Sequence, residues 1–272
     1  MSTIVGVVLG LIAVGVGMVI KGASLSSLLN PAAILIIFVG TAASLIVAFP
    51  WEEIKRFPKL LRYAFSSPKQ VSKVEIIQYC VMLAGMVRRE GLLSLEAEMS
   101  KAKHPFLAMG LGLVIDGTEP ELARDIMLQE IEAMESRHRV NASIFSQAGT
   151  YAPTLGVLGA VVGLVAAMSN MSNMEALGQS ISAAFMATMF GIFTGYVLWH
   201  PIANKLKRRS QQEAELKLLM VEGIMGLLET LNPAIMESKL AVFLPTSERE
   251  LLKESPTKAG EGNSKAQKTR AS

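Results

Sequence analysis

Hydrophobic residues of this chain are gathered into four long runs that contain almost no charge. Each run holds 17 to 19 residues, and the runs are Ile4 to Ile20, Ala32 to Phe49, Tyr151 to Met168 and Ile181 to Trp199. Because a helix rises about 1.5 Å per residue, each run is close to the thickness of a bilayer's hydrocarbon layer. The pattern predicts four transmembrane helices.

Small residues recur along one side of each of the last two predicted spans. They are Gly156, Ala160, Gly163 and Ala167 in the third span, and Ala183, Ala187, Gly191 and Gly195 in the fourth. This spacing lets membrane helices approach closely. We therefore predict that spans three and four pack together as an inner pair, and that the bulkier spans one and two form an outer pair.

A long polar insert separates the second span from the third, and its pattern is helical. It begins at Trp51, and no alternation typical of a strand occurs in it. Its predicted helices are Lys55 to Phe65, Lys73 to Arg89, Ser94 to Lys101, Phe106 to Val114 and Glu119 to Arg139. After the fourth span, Leu216, Leu219 and Ile224 mark one more amphipathic helix.

The predicted fold class is all-α, a polytopic membrane protein with four transmembrane helices and a helical cytoplasmic domain. Its predicted parts are the outer spans (1–50), the insert (51–146), the inner spans (147–200), a helical extension (201–245) and a disordered tail (246–272). The composition agrees, with 51% hydrophobic residues, 18% charged residues and a mean hydropathy of +0.40.

The basic residues predict the orientation in the membrane. Of 26 Lys and Arg, 13 lie in the insert and 12 lie from Pro201 onward. The two short segments that connect span one to span two and span three to span four contain only Lys21. By the positive-inside rule the insert and both termini are cytoplasmic. The first span has no basic residue before it and no clear cleavage site, so a secretion signal is disfavoured. The net charge of +3 gives no indication of nucleic-acid binding.

No Asp, Glu or His occurs within the four apolar runs. Proton carriers normally need a titratable group at membrane depth, so we expect a partner to supply it. The mildly polar candidates for an ion pathway are Thr154, Ser180, Thr188 and Thr194, and Ser180, Ala184 and Thr188 share one helical face. In the alternative interpretation these hydroxyls only bond to carbonyls of their own helix.

The chain offers little for catalysis. Cys80 is the one cysteine, and His104, His138 and His200 are scattered without a metal-ligand spacing. No glycine loop suited to phosphates occurs. We therefore expect no enzymatic activity, no metal and no bound cofactor.

A charged motif, Arg88-Arg89-Glu90-Gly91-Leu92-Leu93-Ser94-Leu95-Glu96, stands out in the insert. One interpretation is a helix that ends at Gly91 with its charges simply solvated. The other is a charged docking surface.

The order of spans and insert, together with three sequence motifs, resembles the MotA family of flagellar stator proteins as far as about Pro245. The motifs are RREGLLSLE, GTYAPTLGVLGAVVGLV and GIFTGYVLWHPIANKLK. The resemblance is to the proton type found in Gram-positive bacteria. It implies a multi-pass protein of the bacterial cytoplasmic membrane, in contact with membrane lipid. It also implies a homo-oligomeric ring, a pentamer, around a dimer of MotB-like partners that supply an aspartate. Proton flux through this complex would drive torque on the rotor protein FliG.

The resemblance also implies roles for individual residues. Arg88 and Glu96 match residues that engage FliG, with Arg89 and Glu90 as neighbours. Pro153 and Pro201 match prolines tied to conformational coupling, and Thr188 matches a threonine near the ion path. Sodium-driven relatives have a threonine at the position of Ala160, and its absence favours the proton because sodium needs oxygen ligands.

Three alternatives remain at this point. The small-residue spans are shared with ExbB and TolQ, which predicts an energiser of an envelope complex as one alternative. A sodium-driven stator is the second. The third, an autonomous channel, is disfavoured by the missing intramembrane carboxylates.

Overall fold

The computed structural model of the chain describes residues 2–23, 25–28, 30–66, 71–169 and 171–254. Every regular element in these ranges is a helix, and none is a strand. Four of the helices are long and apolar enough to cross a membrane. The predicted fold class is therefore confirmed.

The four candidate spans lie within helices α1, α2, α8 and α9. Helix α1 is Ser2–Ile20. Helix α2, Pro31–Ala48, contains a wide π-helical turn at Leu35–Val39. Helix α8 is Pro120–Ser169, and α9, Met174–Leu228, contains a second π-helical turn at Thr194–Trp199.

Shorter helices fill the insert and the C-terminal part. They are α3 (Trp51–Ile54), α4 (Phe57–Phe65), α5 (Lys73–Glu90), α6 (Glu96–Met99), α7 (Pro105–Ile115), α10 (Pro233–Leu240) and α11 (Thr246–Glu254). Short 3-10 turns occur at Leu25–Leu28, Leu92–Leu95 and Ala241–Phe243.

The predicted insert helix Glu119 to Arg139 and the third span are one continuous helix of 50 residues, α8. No glycine or proline interrupts the sequence between 121 and 148, so nothing ends the helix where its composition changes from polar to apolar. The predicted helix over 94–101 is instead a 3-10 turn followed by the single α-turn of α6.

The predicted disordered tail is wrong in its first part, because Thr246–Glu254 forms α11. Leu252 on this helix is buried, and the Arg249 side chain donates to the Leu244 carbonyl (3.1 Å). These contacts hold a segment whose average polarity had indicated disorder. The remaining tail residues, 255–272, lie outside the described residues.

The chain divides into two compact units. Unit one comprises Met1–Pro68 and Met134–Gln211, and unit two comprises Lys69–Ala133 and Gln212–Ser272. The predicted boundaries at 51, 147 and 201 concern where the chain enters and leaves a membrane, and they stay predictions.

The core of unit one is built from α2, α4, α8 and α9. Phe145 is completely buried, and its ring stacks on that of Phe57 with centroids 4.8 Å apart. Trp199 lies against both rings, at 6.0 and 6.4 Å. Helix α4 joins this core through its apolar side because Leu60 and Leu61 pack inward while Lys59 is exposed. The core thus fixes α4 beside the end of the fourth candidate span.

Hydrogen bonds identify the helix ends that meet within unit one. At one end, the Thr3 hydroxyl donates to the Ala64 carbonyl (3.4 Å) and accepts a hydrogen bond from Lys205. At another, the Asn30 amide donates to the Ala183 carbonyl (3.4 Å). The start of α1, the end of α4 and the middle of α9 therefore meet, as expected if the chain crosses the bilayer four times.

Unit two is a helical cluster with a hydrophobic interior. A methyl group at Gly110 of α7 would lie 2.8 Å from the Ile224 side chain, so the amphipathic C-terminal half of α9 packs tightly on the insert. Cys80 is fully buried beneath it, and burial raises the pKa of its thiol to about 12. A thiol in this state is chemically inert at neutral pH.

An ion-pair cluster joins three helices of unit two. Glu222 accepts from Arg124 (2.8 Å) and pairs with Lys239 (2.9 Å). Burial alone would raise the pKa of the Glu222 carboxyl, but the two cations hold it below its ordinary value. The cluster therefore stabilises unit two above the ordinary glutamate pKa, and this contribution is lost as the pH falls through the lowered one.

Candidate functional site

The predicted close packing between the third and fourth spans is confirmed. A methyl group added at Gly156 of α8 would lie 2.9 Å from the Ala187 carbonyl oxygen and from the Cα of Gly191. One added at Gly163 would lie 2.9 Å from the Ala184 Cβ. The two backbones are thus in direct contact over two turns of helix. We call this contact between α8 and α9 the seam.

Two helix irregularities associated with prolines meet beside the Gly156–Gly191 end of the seam. Pro153 lies inside α8 and cannot bond to the Gly149 carbonyl. That carbonyl oxygen and the Pro153 Cγ would lie 2.8 and 2.7 Å from a methyl group at Gly195. Gly195 belongs to the π-helical turn that ends just before His200 and Pro201.

The wide turn has a local cause in the sequence. Pro201 has no N–H, and its ring would crowd the carbonyl four residues earlier in a regular helix. Widening the preceding turn at Thr194–Trp199 relieves this conflict without ending α9. The Thr194 hydroxyl is buried here and donates to the Phe190 carbonyl (2.8 Å). The structure therefore packs Pro153 against the turn before Pro201. We call these residues the proline cluster.

The hydroxyls predicted along the ion pathway all bond to their own helix. Thr154 donates to the Tyr151 carbonyl (2.7 Å), and Ser180 donates to the Ala176 carbonyl (2.9 Å). Thr188 lies 3.5 Å from the Ala184 carbonyl oxygen, at the limit for a hydrogen bond. Each hydroxyl therefore bonds to its own helix, as in the alternative interpretation, and the bond of Thr188 is the longest of the three.

Thr188 differs from its neighbours in its surroundings. Ala184, one turn earlier, is buried in the seam against Gly163. Thr188 instead lines an open apolar groove between α1 and α9. The other residues of the groove are Val14, Phe185, Met189, Ile192, Phe193, Tyr196 and Val197. A group approaching from outside this single chain can therefore reach the Thr188 hydroxyl. Ala160 of α8 is only half-buried.

The charged motif of the insert forms a tight turn in unit two. Gly91 ends α5 with a φ of +82°, which a side chain would strain, and its N–H bonds to the Val87 carbonyl (2.9 Å). The Ser94 hydroxyl donates back to the Gly91 carbonyl (2.6 Å), and Leu95 is completely buried. These contacts fix the turn, so it is an ordered surface feature.

All four predicted rotor-contacting residues are exposed on this turn: Arg88, Arg89, Glu90 and Glu96. Arg89 donates to the Gly85 carbonyl (3.2 Å). Among the described residues, neither Arg88 nor Glu96 forms an ion pair within the chain. We call this group the charged turn. Its charges remain available to a partner.

Sequence reasoning missed two residues of the proline cluster. A methyl group at Gly149 would lie 2.8 Å from the His200 ring, so this glycine and histidine are matched in shape. The signal was present in the sequence, because Gly149 lies four residues before Pro153 and His200 directly precedes Pro201. Within the described ranges no three His, Cys, Asp or Glu side chains lie close enough to hold a metal.

Comparison with known proteins agrees with this arrangement over nearly the whole chain. Residues 98–217 match the MotA/TolQ/ExbB proton channel family, and residues 4–91 match the N-terminal part of motility protein A. Motility protein A of Bacillus subtilis is 53% identical over 248 residues, which cover 91% of this chain and 92% of the relative.

Two solved structures share the fold. One is the flagellar MotAB stator complex from Bacillus subtilis, with a TM-score of 0.88 and 52% identity over 92% of this chain and 98% of that chain. The other is C. jejuni MotAB, with a TM-score of 0.85 and 30% identity over 90% and 96%. This chain therefore belongs to the MotA/TolQ/ExbB proton channel family, in its motility protein A branch.

Proposed function

We propose that this chain is the ring-forming subunit of a proton-driven flagellar stator. The observation that carries the proposal is the match, over nearly the full length of both chains, to a subunit of a flagellar MotAB stator complex. The match of residues 4–91 to motility protein A favours a flagellar role over an ExbB-like energiser. The insert and both termini would then be cytoplasmic.

The ion path needs a partner in this scheme. The apolar runs hold no carboxylate, so a MotB-like single-span protein would bring the titratable aspartate. The open groove beside Thr188 supports an approach by such a helix, because this hydroxyl is reachable and weakly bonded. A unit charge crossing 100 mV releases about 2.3 kcal/mol, roughly four times RT, for each proton.

The seam and the proline cluster suit a ring that moves around its partner. Backbones in contact at Gly156 and Gly191 give a stiff inner pair of helices. Below it, Pro153 and the wide turn before Pro201 lack regular helical hydrogen bonds, which makes this level the softest point of the pair. We infer that a change in partner contacts bends the pair here. The charged turn would pass the motion to FliG.

A mass measurement on the purified complex tests the proposal directly. The chain is co-expressed with the MotB-like protein of its own bacterium and purified through a tag on that partner. We expect one species with five copies of this chain and two of the partner, and we expect deletion of the gene to stop swimming while flagella still form. A monomer that conducts ions without a partner would refute the scheme, and co-purification of an envelope transporter would favour the energiser.

Ala160→Thr is expected to change the ion preference of the motor. A threonine hydroxyl adds the oxygen that a partly dehydrated sodium ion needs, whereas a proton relay needs no such ligand. Swimming speed at a fixed proton gradient should become dependent on sodium, while the wild type shows no such dependence. Ala160→Ser and Ala160→Val serve as the matched pair, since only serine supplies an oxygen. Sodium-dependent swimming of the wild type would contradict the proton assignment.

A further inference from the structure

Unit one carries a group of exposed basic residues that have no carboxylate partner among the described residues. Five exposed side chains form it, and we call them the basic rim: Arg56, Lys59, Arg62, Lys207 and Arg208. The first three lie before or within α4 and the last two lie in α9. Residues 54–66 and 199–211 contain no Asp or Glu.

Two basic residues of α9 that are neighbours of Lys207 and Arg208 in sequence bind other helices of unit one. The Arg209 guanidinium donates to the carbonyls of Tyr63 and Ser66 at the end of α4, and it lies over the Tyr63 ring, 4.7 Å from the centroid. Lys205 donates to the Thr3 hydroxyl at the start of α1. Arg209 and Lys205 thus use their polar groups in contacts within unit one, whereas the rim residues are exposed.

The charges of the rim are not neutralised within the chain. Lys55 is paired with Glu52 (3.0 Å), but none of the five rim residues has a carboxylate partner in the part of the chain that the structure describes. Like charges gathered on one surface repel each other and attract mobile anions. An anionic partner would therefore bind here without displacing an existing ion pair.

Both parts of the rim follow the end of a candidate span in the sequence. Helix α2 ends at Ala48, and Trp51, which is 59% exposed, follows directly as an interfacial aromatic residue. Lys207 lies eight residues after Trp199, which corresponds to about 12 Å along the helix axis. Long basic side chains bend back toward the headgroups over such distances. The rim is thus within reach of lipid phosphates.

We propose that the basic rim is a binding surface for the phosphate headgroups of anionic phospholipids in the leaflet beside it. Clusters of four to eight basic residues next to a transmembrane helix have this property. The proposal requires only that the chain spans a membrane, and it does not depend on the ion carried or on the rotor contact. An acidic protein is the other possible occupant, but proximity to the ends of the spans favours lipid.

Lipid selectivity in reconstituted membranes tests the proposal. The full chain, purified with its partner, is placed in phosphatidylcholine vesicles that contain a trace of spin-labelled phosphatidylglycerol or phosphatidylcholine. Electron spin resonance then gives the fraction of each label that the protein immobilises. We expect phosphatidylglycerol to be preferred about five-fold in low salt, with the preference falling steeply at high salt because screening shortens the range of the attraction.

Two variants of equal charge change separate the rim from a general charge effect. The rim variant is Lys59→Gln, Arg62→Gln, Lys207→Gln and Arg208→Gln. The control removes four exposed basic charges from unit two: Arg88→Gln, Arg89→Gln, Lys101→Gln and Lys103→Gln. We expect the rim variant to lose most of the preference and the control to keep it, with unchanged thermal unfolding in neutral lipid.

The opposite results would overturn the proposal. An equal preference in the wild type and the rim variant would assign the attraction to other residues. The absence of any preference in the wild type would leave the rim as a surface for an acidic protein instead of lipid.

Discussion

Gly191→Ala should disrupt the seam and abolish swimming. The added methyl group would lie 2.7 Å from the Ala152 carbonyl oxygen and 2.8 Å from the Gly156 Cα, and both are backbone atoms that cannot rotate away. The helices must therefore separate, which sacrifices contacts along the whole seam. Overpacking of this kind costs about 1–3 kcal/mol in soluble cores, and membrane helices likewise depend on small residues for their close approach.

Thermal unfolding of the purified chain measures this effect, and a soft-agar swimming assay gives its consequence. Gly17→Ala is the matched control, because the same methyl group at Gly17 of α1 would meet no atom within 4 Å. We expect the unfolding temperature of the Gly191 variant to lie several degrees below that of the wild type. The control should unfold at the same temperature as the wild type. A Gly191 variant that is as stable and as motile as the wild type would show that the seam opens at little cost.

The spans and the seam were predictable because membrane helices follow strong and simple rules. Charge-free runs of nearly uniform length predict spans. Small residues at a spacing of four indicate a helix contact, and the structure pairs Gly156 with Gly191 as this pattern requires. The register between the two helices could not be predicted, because several registers place small residues opposite each other.

The features that the sequence did not predict depend on contacts between distant residues. Nothing local shows that Pro153 meets the turn before Pro201, since these residues lie in different helices and meet through Gly195. The ordered α11 was missed for a similar reason, because buried Leu252 outweighs the polarity of its segment. The charged turn was recognised as a motif, but only the structure shows that Arg88 and Glu96 have no ion-pair partner of their own in the described chain.

Reversing the charged turn should stop swimming without affecting the fold. In the proposed stator, Arg88 and Glu96 face opposite charges on FliG, and Arg88→Glu with Glu96→Arg converts each attraction into repulsion. A pair at 4 Å is worth about 1 kcal/mol in water and about 4 kcal/mol near a protein surface. We expect swimming to fall at least ten-fold. Thermal unfolding should stay unchanged because both side chains are exposed.

Matched controls on the same insert separate this contact from a general change of charge. Lys103→Glu and Glu132→Arg reverse two exposed residues outside the charged turn, and Lys103 forms only a surface ion pair with Glu75 (3.2 Å). Such a pair contributes little to stability, so this variant should fold and swim. Normal swimming of the charged-turn variant would remove its role in torque.

Compensating charge reversals on FliG give the most specific test of the charged turn, because a variant that is merely misfolded would not be rescued by a change in the rotor protein. If the charged turn acts by electrostatic contact, reversing the facing charges on FliG should restore motility to the Arg88→Glu, Glu96→Arg variant and impair the wild type. The contact should also weaken with salt in a binding assay between the complex and purified FliG, since exposed charges are screened over about 10 Å at 0.1 M. A variant that no rotor charge reversal rescues would instead indicate that the turn serves the insert's own packing.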